Sequence, residues 1–323
     1  MSNILSMNFP KLRAKLYPLY KMYMKIIGVP LHLPYHKEGQ EASDLIKESL
    51  LSDKPCMICR FGSLELQVMV AYLNKTETKN PFKKLACFFR GEPLNYNFVL
   101  KNRFRSIAGF FPAEDKYMDK FSKLMIEDSK CIDMVGVWRT EQNRIAKFFT
   151  QATNISIMDI EPFLFNHPWS EALKGKKVLV IHPFVKTIER QYAKRKFIFE
   201  NPNVLPDFEL KTLQAVQSAA DSKVEYKTWF DALDYMCDEI YKIDFDIALI
   251  GAGAYGFPLA AHVKRIGKKA VHMGGVSQLL FGIKGNRWDS QEYYKNLYNE
   301  NWTRPAQSET PENCTKVEGG SYW

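Results

Sequence analysis

At 323 residues, with 46% hydrophobic and 25% charged residues and 17 Gly and 16 Pro, the chain has the composition of a folded globular protein, which excludes global disorder. The net charge of +9 is modest, and without a recognisable recognition module it gives no case for a nucleic-acid partner. The sequence holds no run of roughly 18 apolar residues, no signal-peptide pattern and only six scattered cysteines, so the expectation is a cytoplasmic protein with neither a transmembrane helix nor a disulfide framework.

Residues 1–38 form a basic arm: Lys11, Arg13, Lys15, Lys21, Lys25 and Lys37 all precede the first acidic residue, Glu38. Leu12, Leu16, Leu19, Tyr20, Tyr23, Met24 and Ile27 interleave with them, which fits an amphipathic helix in peripheral contact with the inner face of the cytoplasmic membrane. The competing expectation is an arm packed on its own domain. Pro10 and Pro18 predict that no single uninterrupted helix covers it.

Residues 39–290 read as one α/β domain. Short apolar runs at 57–61, 132–138, 155–160, 178–182, 208–216, 245–250 and 270–273 are candidate strands. Most are separated by helical patterns, the clearest being the stripe Trp229, Leu233, Met236 and Ile240. Continuous apolar strands alternating with helices predict a doubly wound, mainly parallel, Rossmann-like sheet with helices on both faces. Cys56 and Cys59 form a CxxC, but three residues apart on a strand they face opposite sides and could not share a metal. Residues 75–112, basic and aromatic without sheet periodicity, predict a helical insertion or lid. Residues 291–323 are read as an extension, polar beyond Asn301 and partly disordered.

In such a sheet ligands bind beyond the carboxyl ends of the strands, so candidates are sought there. After the first run, Arg60, Gly62, Ser63 and Glu65 open a helix, with Ser63 as its expected N-cap. Glu65 is then either a first-turn carboxylate stabilised by the helix dipole or a ligand for a cation or a sugar hydroxyl. Asp159 and Glu161 could together hold Mg²⁺ or Mn²⁺, or form a solvated turn before Pro162. His182 is a candidate base or phosphate donor, or a satisfied strand-end residue, and Lys186 and Arg190, four apart, could face one anion. Gly251, Gly253, Tyr255 and Gly256 belong to a GxGxxG after a strand and before a helix, whose amides could cradle phosphate or whose glycines could serve close packing alone. No acidic residue lies between Asp246 and Asp289, whereas a dinucleotide site expects one about 20 residues past the turn to hold the ribose. Lys284, Arg287 and Trp288 could engage a diphosphate and stack on a base, or form a loop with a buried tryptophan.

The run Arg60-Phe61-Gly62-Ser63-Leu64-Glu65 resembles the RFGDGE-type motif of bacterial GT-D glycosyltransferases. The late strand, glycine turn and Gly274-Gly275 resemble the carboxyl-terminal part of that fold, and the motifs around Glu161-Pro162, His182-Pro183-Phe184 and residues 282–288 are similar to proteins of bacterial polysaccharide gene clusters. The resemblance implies transfer of a sugar from a nucleotide-sugar donor to a lipid-linked or cell-surface glycan. It carries Glu65 over as a donor or metal residue, but Ser63 stands where the family's DxE has aspartate, which puts metal binding there in doubt. Glu65, Asp159 and Glu161 are the candidate metal ligands, and Glu65, Glu161 and His182 the candidate catalytic groups. Two other readings stand beside it: an NADP-dependent oxidoreductase using the same turn, and a non-catalytic nucleotide-binding protein of a polysaccharide assembly complex.

Overall fold

The computed structural model describes residues 10–26 and 32–323. Seven strands form one sheet: β1 (Cys56–Arg60), β2 (Met134–Val137), β3 (Thr153–Ser156), β4 (Lys177–His182), β5 (Glu209–Gln214), β6 (Ile247–Ile250) and β7 (Lys269–His272). They lie in the order β3-β2-β1-β7-β6-β4-β5, and every pairing is parallel. Each strand falls within or beside one of the seven apolar runs. The run at 155–160 is mostly not strand, because the chain leaves the sheet at Ser156 and continues as a 3₁₀ turn over Ile157–Ile160.

Alternation along the strands explains why those runs are continuously apolar. Met57, Cys59, Val135, Leu179, Ile181, Ala248 and Ile250 pack into one core, and Cys56, Ile58, Met134, Val178, Val180, Ile247 and Leu249 pack into another. Both faces are covered, so the central strands are buried along nearly their whole length, while the edge strand β5 stays half-exposed. Cys56 and Cys59 fall in different cores, which rules out a shared metal between them.

The chain winds outward from β1 to β2 and β3, crosses to β4 and β5 on the far side, and returns through β6 and β7 to β1. This is the doubly wound Rossmann-like architecture, with its switch of direction beside β1. Helix Ser63–Glu77 follows β1. Residues 75–112 then carry the end of that helix and two more, Pro81–Arg90 and Phe98–Ser106, as a helical insertion between β1 and β2.

Two expectations change at the ends of the chain. Helix Pro10–Ile26 runs through Pro18 instead of breaking there. Pro10 takes the first helical position, where its missing N–H costs nothing, and the helix packs on Pro81–Arg90. Ile27 and the side chains of Leu12, Leu16 and Tyr23 lie outside the described residues. At the other end, residues 291–323 are folded against the domain: Tyr294, Trp302, Glu309, Val317 and Ser321 are buried, and the indole N–H of Trp302 donates to the Ile198 carbonyl at 3.0 Å. The polar composition of that stretch hid its anchors, which are few and widely spaced.

Candidate functional site

A cavity of about 510 Å³ opens at the carboxyl ends of the strands. Arg60, Gly62, Ser63 and Glu65 reach it from β1, Trp138 and Arg139 from β2, and His182 and Phe184 from β4. Gln217 and Ser218 follow β5, Gly251 to Tyr255 follow β6, and His272 ends β7, with Gly274 and Gln278 after it. Helix Phe98–Ser106 adds Arg103, the loop 282–288 adds Arg287, and the carboxyl-terminal segment closes one wall with Glu318, Tyr322 and Trp323. Four arginines and two glutamates line this space, with two histidines held neutral by burial, so its lining is net cationic.

Arg60 stands at the centre. Its Nε and Nη2 donate to the Phe61 carbonyl at 3.3 and 3.2 Å, and its guanidinium lies 4.8 Å from the Trp138 ring centre. Loss of solvent pulls its pKa down, with Tyr322 and Glu65 opposing. It forms no ion pair with a carboxylate of the described residues. Trp138 is locked in turn by its indole N–H, which donates to the same Phe61 carbonyl at 3.0 Å. One carbonyl therefore fixes both the cation and the ring beneath it.

Glu65 occupies the third position of helix Ser63–Glu77, and its N-cap is Gly62, not Ser63. The carboxylate folds back over Gly62, where any Cβ would collide with it. Burial raises its pKa, while its own amide, that of Leu64 and Arg60 pull the other way. Glu65 is thus a first-turn carboxylate, as one expectation had it, and it also lines the cavity.

The glycine turn divides into two functions. Gly251 and Gly256 are packing positions, since a Cβ would strike Ser277 and His182 at the first and the His272 ring at the second. Gly253 has open space around it but a φ of +53°, which a side-chain-bearing residue seldom adopts. The N–H groups of Ala252 and Gly253 find no acceptor among the described residues, and the turn leads into helix Gly256–Arg265. Tyr255 lines the cavity but is buried, its ring stacked on Trp229 at 4.7 Å and its hydroxyl 3.0 Å from Ser218 Oγ.

His182 accepts the Phe184 N–H on Nδ1 at 3.0 Å, which assigns its proton to Nε2. Burial lowers its pKa to about 3, so it is a neutral donor and not a base. His272 is the complement: its Nδ1 lies 3.3 Å from the Ile250 carbonyl, which leaves Nε2 an acceptor, and burial with nearby Arg60 lowers it to about 3.

The expected metal ligands do not assemble. Asp159 accepts the amides of Gly39 and Ser156 at 3.1 and 3.0 Å and caps the turn that ends β3. Glu161 is buried with the Tyr294 hydroxyl donating to it at 2.9 Å, and burial raises its pKa to about 7. Neither lines the cavity, so Glu161 loses its expected catalytic place as well. Among the described residues no group of three or more His, Cys, Asp or Glu side chains is arranged to hold a metal ion.

Four other candidates also fall outside the cavity. Lys186 and Arg190 are exposed on helix Val185–Tyr192, whose amino end is already satisfied by Glu309: the amides of Lys186 and Thr187 donate to its carboxylate at 2.8 and 3.2 Å. Lys284 lies over the Tyr298 ring, and Trp288 is buried against Gly285. Arg287 alone of that loop reaches the cavity, paired with Glu318 and lying 4.8 Å from the Tyr322 ring centre.

Sequence reasoning missed Trp138, Arg139, Glu309, Glu318, Tyr322 and Trp323. The first two follow β2 directly, so the strand-end rule could have found them. The tail offered only a weaker signal, a pair of aromatics in a polar segment.

The sheet and its crevice define a doubly wound α/β protein with a cationic site at the switch of strand direction. Comparisons with protein-family models, curated proteins and solved structures give no match.

Proposed function

We propose that this chain is a glycosyltransferase that takes a nucleoside-diphosphate sugar in the strand-end crevice and passes its sugar to a lipid-linked or cell-surface glycan. The observation that carries this reading is Arg60, a partly buried guanidinium with no carboxylate partner among the described residues, in a cavity that the glycine turn also lines. A desolvated cation is costly unless an anion joins it, and a diphosphate supplies one. The amides of Ala252 and Gly253 and the Nε2–H of His182 are further donors for the same group. Trp138, 36% exposed and fixed under Arg60, is a surface on which a base or sugar can stack.

Of the two carboxylates lining the cavity, Glu318 is tied to Arg287, so Glu65 is the one available to accept a hydroxyl proton or a donor-sugar hydrogen bond. A divalent cation would find one protein carboxylate here, with Asp159 and Glu161 engaged elsewhere. In this reading arginines and amides stabilise the leaving diphosphate. Helix Pro10–Ile26 supports a peripheral membrane position suited to a lipid-linked acceptor. No acidic residue occurs in it, and Leu19, Met22 and Ile26 stand exposed on one side.

The test is a thermal-shift and calorimetric titration of the protein with UDP, GDP, CMP, pyrophosphate and NADPH, repeated on Arg60→Ala. A nucleoside diphosphate should bind, and the variant should lose at least about ten-fold in affinity, as loss of a charge-assisted bidentate contact implies. Binding of NADPH with no nucleoside diphosphate would replace this proposal by a reductase. Nucleotide binding without sugar release from any donor and acceptor would leave a non-catalytic nucleotide-binding protein.

A further inference from the structure

The four arginines of the crevice are not in equivalent states. Arg60 and Arg103 have no carboxylate partner among the described residues, Arg139 pairs with its near neighbour Glu141 at 2.9 Å, and Arg287 is held by Glu318, 31 residues away in sequence. The last pair places an acidic side chain of the chain itself inside a site that otherwise attracts anions.

Its backbone is unusual for that purpose. Glu318 has a φ of +47°, in the left-handed region that non-glycine residues seldom enter, and Gly319 and Gly320 follow at +73° and +85°. The backbone of this turn is anchored, with the Gly319 and Gly320 amides donating to the Thr315 and Val317 carbonyls at 3.1 and 2.9 Å and the Ser321 hydroxyl to the Glu318 carbonyl at 2.9 Å, whereas the Glu318 side chain stands toward solvent. Val317 and Ser321 are buried, the Arg287 amide donates to the Ser321 carbonyl at 3.0 Å, and Gln278 Nε2 donates to the Tyr322 carbonyl at 3.0 Å. Glu318 and Gly319 are exposed, and the Arg287 and Glu318 side chains are 34% and 41% exposed. An ion pair so open to water is weak, and a group with more charge can take the guanidinium from it.

We propose that Glu318 is a built-in competitor for an anion seat at Arg287: a phosphate or diphosphate group takes the guanidinium, and the Glu318 side chain leaves it for solvent. The seat belongs to the same crevice as Arg60, and the Tyr322 ring lies 4.8 Å from the Arg287 guanidinium. This rests on the anionic-ligand part of the transferase reading and adds a threshold to it: ligands with weak or single negative charge pay the cost of displacing Glu318, whereas a diphosphate overcomes it.

The experiment compares the full chain with Glu318→Gln, using inorganic pyrophosphate and UDP as probes in isothermal titration. Removing a competing exposed ion pair should tighten pyrophosphate binding about two- to five-fold, with the gain shrinking at high salt. Unchanged or weaker binding in Glu318→Gln would overturn the proposal, since a residue that merely orients Arg287 would lower affinity when altered. Hydrogen exchange on the unaltered protein is the second measurement: the amides of 318–320 should exchange faster when pyrophosphate is added, and equal or slower exchange counts against displacement. Pyrophosphate binding without any nucleoside diphosphate binding would sink the transferase reading and leave the competitor standing. Failure of pyrophosphate to bind either protein would sink the competitor.

Discussion

A carboxylate placed among apolar neighbours with one phenol as partner resists ionisation, and Glu161 is in that position. Burial raises its pKa from the ordinary 4.5 to about 7, against the Tyr294 hydrogen bond and the charge of Arg60. The folded state therefore binds the proton more tightly than the unfolded one, so the stability it confers is full below about pH 4.5 and is lost as pH rises through 7. Glu161→Gln keeps an acceptor for Tyr294 without the charge, and should be more stable than the parent at pH 8, by up to about 3 kcal/mol, with the difference vanishing near pH 4. Urea melts across that range check it, and a constant difference would refute the assignment. His182 and His272 run the opposite way: with pKa values lowered from 6.5 to about 3, they cost stability as pH falls below 6.5, in parent and variant alike. Glu161 was recognisable in sequence as a strand-end acid. Its removal from the cavity was not, because Tyr294, 133 residues later, takes it.

At the scale of the element, the glycine turn carries one motif but two physical demands. Gly256→Ala places a methyl against the His272 ring and should destabilise the fold by about 1–3 kcal/mol, as overpacking does. Gly253→Ala meets no neighbour but must hold a left-handed φ, so it should cost only about 1 kcal/mol in stability while weakening nucleotide affinity more than its Tm loss suggests. Paired melting curves and nucleotide titrations separate the two; equal behaviour of both variants would mean the turn serves packing alone. Helix Pro10–Ile26 makes a second prediction. Tyr17, Tyr20 and Met24 are partly covered, whereas Leu19, Met22 and Ile26 are 56%, 56% and 73% exposed. If that outer stripe meets a bilayer, the protein should sediment with vesicles containing an anionic phospholipid and not with neutral ones, and a Leu19→Ser, Met22→Ser, Ile26→Ser variant should stay in solution. Sedimentation unaffected by the triple change would place the contact elsewhere.

Across the whole molecule, the carboxyl-terminal segment joins elements far apart in sequence. Glu309 receives the amides that begin helix Val185–Tyr192 and the hydroxyl of Thr187, and the indole N–H of Trp323 donates to the Glu309 carbonyl at 3.2 Å. Glu309→Ala should then lower stability by about 1–3 kcal/mol through buried donors left unpaired, and should loosen the cavity wall built by Tyr322 and Trp323. Thermal melts measure the first effect and nucleotide titration the second; a variant as stable as the parent would show that water replaces the carboxylate without loss. The division between what was legible and what was not follows from the range of the forces involved. Local patterning determined the seven parallel strands, their cover on both faces, the helical insertion and where to look for a cavity, at the strand ends, because strand burial and turn geometry act over a few residues. Arg60, Glu65, His182 and Gly253 could be named from it for the same reason. The tertiary structure alone decided that Asp159 caps a turn, that Lys186 and Arg190 face away, and that the tail supplies Glu318 and Tyr322 beside Arg287. Those outcomes depend on which distant partner meets each charge or amide, and pairing across 31 residues, as for Arg287 and Glu318, or 120, as for Asp159 and Gly39, leaves no periodic trace in the chain.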